Sequence, residues 1–249
     1  MARDVALIPP DPQVHMVGAD HSGLAATMQY KLLVRHGVLP TSNLLEIGCG
    51  IGRLVYELAG YLDEGTYAGF DISPAAIEWL DANYAPLLPN FRFDLVEVNN
   101  ARYNRVAAEA AETAAFPYPD DTFDAACSFS VFTHMQMSDI RHYLQELRRV
   151  LAPSGHGLMT FFAILPEDES PALGDKPFVP LGGGAWTTNP ELPERAIAFD
   201  QAVIEEAIAE AGLLIARRLV GAWHSWSDTV ADDAKARLHK DVYIVTPAG

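Results

Sequence analysis

Two spacings of apolar residues recur along the chain. Largely apolar runs at residues 44–47, 66–70 and 124–131 predict buried strands, and alternation over residues 91–98 predicts a half-buried one. Between these runs the apolar positions fall three or four apart. Leu24, Met28, Leu32 and His36 step by four before Gly37 offers a C-terminal stop. Ser73 and Pro74 supply a cap and a first-turn proline for a helix with Ile77 and Leu80 on one face. Ser138 begins another helix, with Ile140, Tyr143, Leu144, Leu147, Val150 and Leu151 along one side and Pro153-Ser-Gly as its end. A helix over residues 199–211 that ends at Gly212, then strands over 213–220 and 241–246, close the pattern.

This alternation of strand and helix predicts one α/β domain over residues 1–249, a doubly wound sheet whose ligands lie outside the carboxyl ends of its strands. Three stretches depart from it. Residues 1–20 hold Pro9, Pro10 and Pro12 and are expected to be extended. Residues 105–115 are alanine-rich and read as an exposed helix or an insertion. Residues 165–195 contain Gly182-Gly-Gly-Ala-Trp186, lack periodicity, and are expected to cover a substrate.

The first strand breaks into Gly48-Cys-Gly-Ile-Gly-Arg53, directly before helix-forming sequence. Glycine admits positive φ and lets a ligand approach the main chain, while the helix start offers unpaired N–H groups. The spacing is G-x-G-x-G; the pyrophosphate fingerprint G-x-G-x-x-G would need glycine where Arg53 stands. Asp71 ends the second strand about 20 residues beyond, the separation at which a carboxylate takes ribose hydroxyls. A nucleoside without a pyrophosphate fits both features.

Glu46, the glycine loop and Asp71 together resemble motif I and its acidic follower in class I S-adenosylmethionine (SAM) dependent methyltransferases. Phe116-Pro-Tyr-Pro-Asp-Asp-Thr-Phe-Asp124, Ser130-Val-Phe-Thr-His-Met135 and Arg148-Arg-Val-Leu-Ala-Pro-Ser-Gly155 extend the resemblance in family order. It implies a Rossmann-like, seven-stranded, mostly parallel sheet with an antiparallel last strand and helices on both faces. It also implies SAM as cofactor and S-adenosylhomocysteine (SAH) as product. Gly48, Cys49, Gly50, Gly52, Asp71, Ile72 and Ser130 become cofactor-binding candidates, with Glu46 toward the methionine end. Arg53 is either a solvated helix residue or a partner of the methionyl carboxylate. Asn99 and Asn100 are either turn residues or readers of the adenine amino group. Asn100-Ala-Arg-Tyr-Asn104 is similar to a stretch in bacterial methyltransferases of glycan assembly, which points to a sugar or oligosaccharide hydroxyl as acceptor.

Composition narrows the partners. Against 33 Asp and Glu stand 17 Lys and Arg, a formal charge of −16 that opposes a phosphate backbone and argues against nucleic acid. No apolar run reaches bilayer-spanning length and the start lacks a signal-peptide core, so no membrane partner and a cytoplasmic location are expected, with a homodimer as a candidate assembly. Cys49 and Cys127 read as small buried hydrophobes. His15, Asp20 and His21 lack metal-site spacing, and no metal is expected.

His134, after the fourth strand, is the preferred base for the acceptor proton, and His224 is the second candidate. Tyr30, Trp186, Trp223 and Trp226 are candidate acceptor-lining residues, each with core packing as the alternative. The resulting expectation is a SAM-dependent O-methyltransferase. Its rivals are an N- or C-methyltransferase of a natural product and a non-catalytic SAM-binding scaffold.

Overall fold

The computed structural model describes residues 7–8, 24–98, 111, 113–224 and 238–249. Strands β1 (Asn43–Ile47), β2 (Thr66–Asp71), β3 (Phe91–Leu95), β4 (Phe123–Ser128) and β5 (Leu151–Phe161) run parallel. Short strands β6 (Ala163–Ile164), β7 (Ala172–Leu173), β8 (Lys176–Pro177), β9 (Val179–Gly182), β10 (Ala185–Thr187) and β11 (Ile197–Asp200) follow. Then come β12 (Leu213–Leu219) and β13 (Asp241–Pro247). The main sheet has seven strands in the order β12-β13-β5-β4-β1-β2-β3, and β13 is antiparallel to both of its neighbours.

Side-chain alternation builds two cores from one sheet. Leu44, Ala125, Cys127 and Leu158 face one side, where α1 (Leu24–Arg35), α2 (Arg53–Leu58) and α3 (Pro74–Asn83) cover them. Leu45, Ala126, Met159 and Phe161 face the other, under α4 (Met137–Val150) and α5 (Gln201–Glu210). Both cysteines are buried and free, as their apolar settings predict.

Several boundaries differ from the sequence expectation. Helix α4 starts at Met137 after Gln136, so Ser138 lies in its first turn, not at its cap. It ends at Val150 rather than at the proline, because Pro153 disfavours helical geometry at residue 152 and the chain is already extended at Leu151. Helix α5 begins only at Gln201 because the residues before it form β11.

Residues 165–195, aperiodic in sequence, hold regular structure. They contain β7 to β10, and β6-β11-β10-β9 make a four-stranded sheet. This sheet grows from the end of β5: β6 follows it after Phe162, and the Phe199 N–H donates to the Phe162 carbonyl at 3.0 Å. Phe162, Ile164, Phe178, Ala198 and Trp223 form its own apolar cluster. The small sheet therefore stands at the carboxyl edge of the main one. Of the expected N-terminal segment and the alanine-rich stretch, residues 1–6, 9–20, 105–110 and 112 lie outside the described residues.

Candidate active site

The glycine loop is stitched to the end of β2. The N–H groups of Gly48 and Cys49 both donate to the Phe70 carbonyl, at 2.9 and 3.0 Å. The Gly50 N–H donates to Asp71 Oδ2 at 2.8 Å, and the Ser73 N–H to Asp71 Oδ1 at 2.9 Å. One carboxylate thus ties the first loop to the β2–α3 turn. Burial raises the Asp71 pKa, and the backbone donors of Ser73, Gly50 and Ile72 oppose that rise. Ser73 occupies the N-cap position of α3, but its side chain makes no capping bond, which corrects the sequence expectation. Gly48 has φ of 74°, and a Cβ there would strike the Val131 side chain. Gly52 caps α2 in left-handed geometry, with φ of 76°.

Glu46 lies buried beneath this loop. Its donor within the protein is the Tyr67 hydroxyl, 2.6 Å from Oε2. Gly69 leaves the room for that ring, since a Cβ there would meet the Tyr67 hydroxyl. Desolvation raises the Glu46 pKa to about 8 despite the Tyr67 bond and the nearby Arg53 charge. The acid is therefore mostly neutral near pH 7. Arg53, at the first turn of α2, has no carboxylate bonded to it among the described residues.

Beyond β4 the chain turns through Ser130, a non-glycine residue with φ of 65°. Its N–H donates to Thr160 Oγ1 at 2.8 Å, and its hydroxyl accepts from Lys240 Nζ at 2.8 Å. His134 ends the next turn. Its Nδ1 lies 2.8 Å from the Glu194 carbonyl, which can only accept, so Nδ1 carries the proton and Nε2 the lone pair of the neutral ring. Glu194 belongs to the turn before β11, which brings the small sheet against the His134 turn.

His224 is placed differently. Its side chain is fully enclosed, with Nδ1 2.8 Å from Asp168 Oδ1 and Nε2 2.9 Å from Asp241 Oδ1. Burial alone would lower its pKa, but hydrogen bonds and charge from Asp168 and Asp241 raise it to about 9. An imidazolium held between two carboxylates is a poor proton acceptor, which corrects the catalytic expectation for His224. Asp241 also accepts from the Gly221 and Ala163 N–H groups and from Trp223 Nε1. Trp223 packs on Phe162 and Phe178 in the small-sheet core, a correction to its reading as an acceptor platform. Trp186 Nε1 donates to Asp200 at 2.7 Å, and Tyr30 packs edge-on to Tyr61. Ile72 is half-buried against the α4–α5 side core. Asn99, Asn100, Tyr103, Asn104 and Trp226 lie outside the described residues, as do His15, Asp20 and His21.

Sequence reasoning missed Tyr67, Thr160, Asp168, Lys240 and Asp241. A signal existed for the last two: an antiparallel last strand must begin at the edge where parallel strands end.

Residues 44–155 match a family described as a methyltransferase domain. Over that stretch, less than half of its 249 residues, the chain is similar to methyltransferase domains. The chain is 29% identical over 119 residues to an uncharacterised methyltransferase of Schizosaccharomyces pombe, covering 48% of this chain and 39% of that one. It is 31% identical over 133 residues to the 27-O-demethylrifamycin SV methyltransferase of Amycolatopsis mediterranei, covering 52% and 43%. The matched stretch thus spans less than half of either curated relative. Its fold is similar to that of the 1,6-didemethyltoxoflavin-N1-methyltransferase of Burkholderia thailandensis, solved with SAH, at TM-score 0.56 and 16% identity over 92% of this chain and 80% of that one. Among the described residues, no helix is long and apolar enough to cross a membrane.

Proposed function

We propose that the chain transfers the methyl group of SAM to an oxygen of a small-molecule acceptor. The observation that carries this reading is the meeting, at one sheet edge, of the Asp71-stitched glycine loop with a histidine whose Nε2 bears the lone pair. The residues present suit the cofactor. Asp71 keeps lone pairs for a ribose diol, and the Arg53 guanidinium, to which no carboxylate is bonded among the described residues, suits a carboxylate. The acid of Glu46, largely neutral in the free protein, ionises more readily beside an incoming ammonium.

SAM supplies a methyl already activated by its sulfonium. The protein's task is to align the acceptor oxygen, exclude water and accept the hydroxyl proton, and His134 Nε2 is the group proposed for the last. The similarity to a rifamycin O-methyltransferase supports oxygen as the accepting atom. The sugar acceptor suggested by subgroup motifs loses support, because Trp223 is packed in a core and cannot stack on a ring.

The reading is tested by following SAH release from SAM over a panel of phenols, enols, carboxylic acids and glycosides. Binding of SAM without SAH formation from any of them would favour a scaffold instead. Asp71→Ala is expected to weaken SAM binding by about 10- to 100-fold, from the loss of a charge-assisted ribose contact. Calorimetry on a folded variant with wild-type affinity would remove the ribose assignment.

Residues 165–195, which contribute β9 and β10 to the small sheet, are proposed to order over the acceptor. Amide exchange there should slow when SAH and an acceptor are both bound, and unchanged exchange at saturation would argue for a fixed wall.

A further inference from the structure

Lys240 directly precedes β13, the strand that enters the sheet antiparallel, so its backbone stands at the carboxyl edge of the other strands. In the order β13-β5-β4-β1, it starts three strand spacings from β1, on the order of 14 Å from the glycine loop. Its side chain returns only part of that way. Nζ lies 5.3 Å over the Phe162 ring, beyond β5, and donates to Ser130 Oγ, beyond β4. The ammonium therefore occupies the half of the edge that the cofactor loop leaves for the acceptor.

Both ends of this arm are fixed. Ser130 is held by Thr160, which donates in turn to the Ser128 carbonyl at 3.3 Å. Asp241, the next residue in the chain, is fully buried and accepts four hydrogen bonds. Yet in a chain of formal charge −16, no carboxylate pairs with Lys240 among the described residues. Burial, and then the Arg53 charge, lower its pKa to about 8. Glu46 offers little compensation while it is neutral, and a sulfonium adds another positive charge. A desolvated cation without a counter-charge is costly, and an arriving anion recovers that cost.

Resting on the methyltransferase reading, we propose that Lys240 is an acceptor-binding residue that selects an acidic oxygen, a phenolic or enolic hydroxyl or a carboxylate, and holds it as the oxyanion that attacks the methyl group. For a hydroxyl, the proton passes to His134 Nε2. The O–C bond forms as the S–C bond breaks, and the S–C electron pair stays on sulfur to give the neutral thioether of SAH. A sugar hydroxyl, a far weaker acid, gains much less from one ammonium.

The test uses the full chain saturated with SAH and titrated with two probes, 4-nitrophenol at a pH where it is ionised and the neutral 4-nitrobenzyl alcohol. Wild type should bind the phenolate about 10- to 100-fold more tightly than the alcohol, as a hydrogen bond to a charged partner provides. Lys240→Met should lose that preference with SAH affinity unchanged, and Lys240→Arg, which keeps the charge, should retain it. Equal affinities in wild type, or a preference that survives in Lys240→Met, would overturn the proposal. So would a tenfold loss of SAH affinity in Lys240→Met, which would assign the ammonium to the cofactor's own carboxylate. SAH binding to wild type is measured first, and its failure would strike the methyltransferase reading itself.

Discussion

His134→Ala is expected to keep SAM affinity and lose about 10²–10⁴-fold in turnover, the range for removing a positioned general base. The expectation rests on the tautomer: the Glu194 carbonyl holds the proton on Nδ1, so in the neutral ring Nε2 is the atom able to accept. His134→Asn separates chemistry from architecture. Its amide nitrogen takes the place of Nδ1 and can still donate to Glu194, but nothing replaces Nε2. Turnover should stay as low as in the alanine variant. If His134→Asn runs near wild-type rate, the histidine only anchors the small sheet and the base lies elsewhere.

Asp241→Ala should be the most damaging change to stability, at about 3–5 kcal/mol, because it leaves a buried imidazolium short of a carboxylate and strands three N–H donors. The His224 pKa, raised from 6.5 to about 9, fixes the pH window. A raised histidine pKa means the folded state holds the proton more tightly than the unfolded chain. The stabilisation is thus fully present below about 6.5 and is lost as pH rises through about 9, worth on the order of 3 kcal/mol at about 1.4 kcal/mol per unit. Urea melts across that range should show wild type losing this increment and Asp241→Ala losing far less of it. A wild-type midpoint that does not move over the interval would refute the charged-histidine account.

The fold was legible where one element determines its own pattern. The amphipathic stripe of α4 and the small apolar run of β4 announce themselves in consecutive residues, and Asp71 announces itself by its distance from the glycines. The small sheet was not legible, because strands of two to four residues interrupted by Pro180 and Gly182 carry no measurable period. Nor was the fate of His224. Its partners lie 56 residues before it and 17 after it, and a histidine between two carboxylates looks, in sequence, like any histidine near an active edge. Trp223 stays open in sequence between lining an acceptor and filling the core, and only Phe162 and Phe178 around it decide for the core.

The pairing of β6 with β11 has a consequence for how acceptor choice can change. The two strands are paired neighbours of only two and four residues, so although they run parallel the excursion between them leaves and re-enters within a few residues' length beside β5. Whatever lies between is a cassette with fixed sockets. Exchanging residues 165–196 for the equivalent stretch of another methyltransferase of this fold would leave the cofactor loop, Asp71 and the seven-stranded frame untouched. Its main demands on the host are a carbonyl for His134 and a carboxylate for His224. If the stretch covers the acceptor as proposed, new acceptor ranges would be grafted, by recombination or by design, without rebuilding the glycine loop and its Asp71 tie.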